Sequence, residues 1–178
     1  DAARAGQYAA NAARDAEAAG AGDMDSFLRG LAMEAEAGPV TALTLTRATQ
    51  LINKTNQFNL TTRRYTEDEV ASAMREGSVY AARVVDRFGD MGVVGVAIVR
   101  GGALETFLMS CRALGHRIES QVLRYICQQE ADPELRAHYR PSPKNRMVET
   151  FLDENGFALI GSGSEGKDYR LTRGPDDT

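Results

Sequence analysis

The sequence has no tryptophan and only two cysteines, Cys111 and Cys127, among 178 residues. Two thiols cannot build a disulfide framework, and their spacing matches no zinc-site pattern, so both are expected free and reduced and no metal is expected. Long apolar runs are missing as well. Nothing approaches the roughly 20 residues that cross a bilayer, and the alanine-rich, charged beginning has no signal-peptide core. The expectation is a cytoplasmic chain with no membrane partner. An excess of positive charge is also lacking: the formal net charge is -4, which argues against a nucleic-acid partner, because binding a phosphate backbone needs a basic surface. Internal repeats are absent. What remains is enough chain for one full core with an appendage.

The most informative stretch is Leu104 to Glu130, LETFLMSCRALGHRIESQVLRYICQQE. Phe107, Met109 and Cys111 share one face by a two-residue period, whereas Ile118, Val122, Leu123 and Ile126 recur at helical spacing. The spacing predicts a strand that stops at Cys111, a basic turn carrying Gly115, and an amphipathic helix. Free N–H groups and the dipole at a helix start can hold an anion, and Arg112, His116 and Arg117 add charge there. A thiol beside an anion site suggests chemistry on a thioester carried by a phosphorylated arm. The competing reading of Cys111 is a small buried strand residue. Cys127, on the apolar helix face, reads as core.

Before this stretch, residues 1 to about 21 favour helix but offer little apolar surface. Asp25 or Ser26 can cap a short helix with Phe27, Leu28 and Leu31 on its apolar face, ahead of a break at Gly38-Pro39. Asp23-Met24-Asp25-Ser26 superficially resembles the paired-aspartate phrase of haloacid-dehalogenase phosphatases. No apolar strand precedes it, so it reads as a cap in a linker. A helix is expected from about Leu45 to Gln57, and a second from Glu67 to Arg75, opened by a capping box of Thr66 and Glu69. Valine-rich segments on either side of Gly89-Asp90 read as a hairpin. Beyond the central helix, a short strand at Ala137 to Tyr139 with an edge freed by Pro141 and Pro143, a helix from Asn145 to Glu154, and a last hairpin of Phe157 to Ile160 with Tyr169 to Leu171 complete the chain. The tail after Arg173 is expected to be disordered.

This order of elements resembles the α/β fold of the Gcn5-related N-acetyltransferases (GNAT): a mixed, mostly antiparallel sheet flanked by helices, here with an N-terminal helical linker. That family's phosphate signature is Arg or Gln, two residues, Gly, one residue, then Gly or Ala. Arg112-Ala113-Leu114-Gly115-His116-Arg117 carries it except at the last position. Asn145 to Phe157 looks like the same family's Asn-led helix, with Leu152 where a tyrosine often acts as general acid. A narrower likeness rests on three phrases: Leu51 through Thr66 (LINKTNQFNLTTRRYT), Asp86-Arg87-Phe88-Gly89-Asp90, and Ser110-Cys111-Arg112. These resemble the C-terminal half of the FkbH-like proteins of polyketide biosynthesis. Residues 1–38 would then be a helical linker left from a preceding haloacid-dehalogenase-type phosphatase domain, and residues 39–178 the GNAT-like acyltransferase domain.

The resemblance implies formation of a glyceryl thioester on an acyl carrier protein from 1,3-bisphosphoglycerate, with the phosphatase half absent from this chain. Cys111 would carry the glyceryl group and pass it to the phosphopantetheine thiol of the carrier, and basic neighbours favour the thiolate that this needs. His116 is either the base that deprotonates the incoming thiol or an anion contact. Arg112, Gly115, Arg117 and Asn145 would hold the phosphate of the arm, and Asn56, Gln57, Asn59, Thr61, Thr62 and Arg63 would bind the glyceryl group. Partners would be the acyl carrier protein and the phosphatase domain. Two alternatives stay open: a free-standing acyltransferase that uses coenzyme A, and a catalytically silent docking domain for carrier proteins.

Overall fold

The valine-rich run after Gly89 is buried on both faces, and the rest of the molecule is arranged around it. The computed structural model describes residues 2–20, 34–115 and 117–174. The Asp23 to Ser26 phrase, the short helix expected around Phe27 to Leu31, His116 and the tail beyond Gly174 lie outside the described residues. Strand β3 (Gly89–Arg100) turns Val93, Val96 and Ile98 to one helical layer and Val94, Ala97 and Val99 to the other. A strand covered on both sides reads as an almost unbroken apolar run, which is how its sequence looks.

The sheet has seven strands: β1 (Glu34–Pro39), β2 (Ser78–Asp86), β3, β4 (Ala103–Met109), β5 (Glu134–Tyr139), β6 (Ala158–Gly163) and β7 (Gly166–Thr172), in the order β1-β2-β3-β4-β5-β7-β6. Every neighbouring pair is antiparallel except β4 with β5. Helices α2 (Leu45–Lys54) and α3 (Glu67–Glu76) cover one face through Ala48, Leu51, Ile52, Val70 and Ala73. Helices α4 (Ile118–Gln129) and α5 (Phe151–Glu154) cover the other through Ile118, Val122, Leu123, Ile126, Phe151 and Leu152. The capping box is present: Thr66 Oγ1 accepts from Glu69 N at 3.2 Å, and Glu69 Oε2 accepts from Thr66 N at 2.8 Å. Among the described residues no helix is long and apolar enough to cross a membrane.

Helix α1 (Ala2–Gly20) docks on the β2–β3 hairpin. Arg14 holds it there, with Nε and Nη2 donating to the two carboxylate oxygens of Asp86 and Nη2 also reaching Gly89 O at 3.3 Å. Asp86 is buried and accepts from Phe88 N at 2.9 Å as well, so one carboxylate shapes the hairpin turn and anchors the helix.

Several expectations are corrected. The division at residue 38 falls inside β1, which pairs with β2 from Glu34 to Pro39, so the sheet begins before Gly38. Ala35 and Ala37 pack under α4, and the proline is tolerated because β1 is an edge strand. Strand β5 starts at Glu134, three residues before Ala137, and is paired along its length with β7 on one side and with β4 at Arg136 and Ala137 on the other. The helix expected from Asn145 is broken into a 3-10 turn at Arg146–Val148 and α5. Helix α2 stops at Lys54, three residues short of Gln57, because the chain must leave it to enter the sheet.

That entry is the feature of the fold that bears most on the site. Strands β4 and β5 pair only at Ala103 with Arg136 and Leu104 with Ala137, then part. The chain's own Phe58–Leu60 segment fills the opening. Leu60 N donates to Phe107 O at 3.1 Å and Met109 N to Phe58 O at 3.0 Å on the β4 side, while Arg140 N donates to Leu60 O at 2.9 Å beyond β5. Phe58 meets the rings of Phe107 and Phe151 with centroids 6.2 and 5.0 Å away. Parted strands expose backbone groups that need partners, and here the partners are internal.

Candidate active site at the end of strand β4

Strand β4 ends two residues before Cys111. Ser110 N donates to Val94 O at 2.6 Å, and Ser110 Oγ accepts from Arg112 N at 3.4 Å, which turns the chain into a 3-10 turn at Cys111–Ala113. Phe107 and Met109 share the face that packs under α4 as their period predicts, but Cys111 leaves it and is exposed. The reading of Cys111 as a buried strand residue is thereby excluded. Its Sγ donates to Gln57 Oε1 at 3.0 Å. The same amide turned over presents its NH2 group to the sulfur, so Gln57 can partner either a thiol or a thiolate.

The start of α4 follows at once. Arg117 precedes Ile118 with φ 58°, in the left-handed region. A glycine, which the family signature allows here, suits that backbone better than arginine, since glycine has no Cβ to clash. Arg117 is exposed and adds its charge at the helix start. Gly115 N donates to Glu119 Oε2 at 3.4 Å, so this turn already holds one carboxylate of its own. Arg112 lines a cleft with Arg47 on the α2 face.

Of the six residues expected to contact a glyceryl group, the structure brings Gln57 to the sulfur and engages the other five elsewhere. Asn59 is fully buried: its Oδ1 accepts from Thr61 N at 3.2 Å and Thr62 N at 2.9 Å, and its Nδ2 donates to Thr55 O at 3.1 Å. It holds the loop, including Thr62 at φ 54°, and has no free polar atom for a ligand. Asn56 accepts from Arg64 Nη2, Thr61 donates to Thr106 Oγ1 at 3.4 Å, and Thr62 Oγ1 donates to Thr61 O at 2.7 Å. Arg63 lies over the Tyr65 ring at 4.5 Å, near Glu105. Asn145 is corrected in the same way. It is fully buried, its Nδ2 donates to Asn59 O at 3.0 Å and Arg140 O at 2.9 Å, and its Oδ1 accepts from Ser142 N at 2.7 Å, so it ties the inserted segment down instead of meeting a phosphate.

His138 lies in a second groove with Asp168. Its Nδ1 sits 2.7 Å from Asp168 Oδ1 and its Nε2 3.0 Å from Glu165 O.

The combination of a parallel β4–β5 pair that parts, a turn at the end of β4, and a helix behind that turn decides the architecture. The chain has the GNAT fold. Solved structures with this fold include a domain from Methanocaldococcus jannaschii, superposing with a TM-score of 0.59 at 12% identity over 79% of this chain and 99% of that one. PaiA N-acetyltransferase from Thermoplasma acidophilum, solved with coenzyme A, gives a TM-score of 0.58 at 11% identity over 79% and 99% of the two chains. An acetyltransferase from Thermus thermophilus gives 0.56 at 14% identity over 81% and 99%. No family model matches the sequence, and no curated protein matches it. At these identities the GNAT likeness is one of fold, and the chemistry has to be argued from the side chains.

Proposed function

We propose that this domain transfers an acyl group through a thioester on Cys111 to the thiol of a phosphopantetheine arm, and that the acyl group is the glyceryl unit of the FkbH-like resemblance. The observation that supports it is the contrast at the end of β4. The sulfur is exposed beside an amide that can serve either protonation state, while the opening between β4 and β5 is closed by Phe58–Leu60. In that opening the backbone groups of Phe107 and Met109 are already paired, so an amide-bearing arm finds no strand edge there to lie along. Approach over the surface to Cys111 is the open route, with Arg117 and Arg112 near its phosphate end.

The exposed Cys111 thiol gives its proton to solvent, and the thiolate attacks the carbonyl carbon of an acyl phosphate. A carbon–sulfur bond forms, and the carbon–oxygen bond to phosphate breaks, with the electron pair leaving on phosphate. In the second half the thiolate of the arm attacks the same carbon, and the Cys111 thiolate is released. The second exchange swaps one thioester for another and is nearly balanced, so positioning is the domain's main contribution. The closed opening counts against direct transfer from coenzyme A in a β4–β5 slot, and the exposed thiol against a purely docking domain.

Thioester exchange can be run backwards, which allows a test on this chain by itself. After incubation with a glyceryl thioester of pantetheine, intact-protein mass spectrometry is expected to find one glyceryl adduct, mapped to Cys111 and discharged by added pantetheine. Cys111→Ala is expected to show none. Glyceryl transfer that survives Cys111→Ala would assign the activity to a direct, cysteine-independent route and end this reading.

A further inference from the structure

On the α2 face of the sheet a cleft of about 540 Å3 opens between α1, α2 and the start of β3. Arg4, Gln7 and Asn11 line it from α1, Arg47 and Gln50 from α2, and Arg112 from the turn after β4. Among the described residues the nearby acids Asp90 and Asp86 are already paired, Asp90 with Arg83 at 2.5 Å and Asp86 with Arg14. Among the described residues no carboxylate pairs with Arg4, Arg47 or Arg112. Burial lowers the pKa of Arg112, and the positive charges of Arg47 and Arg14 lower it further, while among the described residues neither Arg47 nor Arg112 has a carboxylate partner to offset that repulsion. Like charges held together in a partly desolvated cleft repel, and an anion relieves that repulsion. Guanidinium forks match the oxygens of a phosphate, and several of them suit a group with more than one negative charge better than a lone carboxylate. The amides of Gln7, Asn11 and Gln50 offer further donors.

We propose that Arg4, Arg47 and Arg112 form a phosphate-binding site in the cleft between α1, α2 and β3, one residue along the chain from Cys111. Its existence as an anion site is independent of the chemistry at the sulfur, whereas assigning the phosphate to a molecule handled at Cys111 rests on the function proposed above. The phosphate comes either from a phosphorylated acyl group or from the head of the pantetheine arm. Both present the same oxygens.

Titration calorimetry at low salt on the whole chain separates these. The probes are inorganic phosphate, 3-phosphoglycerate against glycerate, and 4′-phosphopantetheine against pantetheine. The phosphorylated member of at least one pair is expected to bind in preference to its dephosphorylated partner. The Arg47→Gln and Arg112→Gln variants are expected to bind it at least tenfold more weakly, while Arg124→Gln on the exposed side of α4 binds it as wild type does. Preference for 3-phosphoglycerate identifies the acyl group as the source, and preference for 4′-phosphopantetheine identifies the arm. Cys111→Ala is expected to retain phosphate binding, so a failure of acyl transfer and a failure of this site are read separately. Equal binding by wild type, Arg47→Gln and Arg112→Gln, or no saturable binding of any phosphate probe, overturns the proposal.

Discussion

Cys127 lies on the apolar face of α4, where burial pushes its thiol up to about 11, while Cys111 stands exposed against Gln57 Oε1. A thiol reagent should therefore distinguish them, since the thiolate is the reactive form and needs access. At pH 7.5, Ellman's reagent is expected to release one equivalent quickly from the native protein and a second only on unfolding, and Cys111→Ala should lose the fast phase. Glu105 makes a second prediction. Burial opposes its charge, but the Arg100 guanidinium that grips both oxygens at 2.7 and 2.9 Å, with the Tyr65 hydroxyl and Arg63, outweighs burial and holds the carboxyl below its ordinary value. A carboxyl whose pKa is lower folded than unfolded stabilises the fold above the unfolded value, near about 4.3, and loses that contribution as pH falls through the folded value. The difference in urea stability between wild type and Glu105→Gln is expected to be constant near neutral pH and to shrink as pH drops below about 4. A constant difference down to pH 2 would contradict it.

At the level of elements, the Asn56 to Arg64 loop is built to enter the sheet. Asn145 clamps it from one side and Asn59 from within, and the Arg64 guanidinium donates to the carbonyls of Ile52 and Thr55 where α2 ends. Removing the buried Asn145 amide leaves the carbonyls of Asn59 and Arg140 without it, at a cost of about 2–3 kcal/mol. Asn145→Ala is expected to lower urea stability by that amount and to raise amide hydrogen exchange at Leu60 and Met109, where the inserted segment meets β4. The polar loop looked like a ligand pocket in the sequence because amides and hydroxyls crowd it. Most of them are spent on the loop itself, a matter of non-local partners that spacing does not carry. By contrast the capping box, the apolar face of α4 and the valine hairpin were legible, because each depends on neighbours within a few residues.

Across the whole molecule, α1 is held to the sheet by a buried ion pair. Arg14 and Asp86 are both almost fully buried, and truncating one member leaves the other charge unmatched. Arg14→Ala is expected to cost about 3 kcal/mol in urea unfolding, and limited trypsin digestion should then cut within α1 before it cuts the sheet. Since α1 also supplies Arg4 to the cationic cleft, the same variant should weaken phosphate binding without touching the Cys111 adduct. This helix offers so little apolar surface that its place could not be read from its own residues.

The fold class came from the resemblance that the order of elements bears to the GNAT fold, and the sequence by itself determined most of the elements beyond Pro39 and the turn that sets a thiol before a helix. Those properties follow from periodicity, capping and turn chemistry, which act over short stretches of chain. Only the tertiary structure decided that β1 is a strand, since Glu34-Ala35-Glu36-Ala37-Gly38-Pro39 has little β propensity of its own and extends because β2 offers it an edge. Only it decided that Phe58–Leu60 closes the opening between β4 and β5, and that Arg4, Arg47 and Arg112 meet in one cleft. Contacts between residues far apart in the chain are set by packing and charge in three dimensions, and no local pattern encodes them.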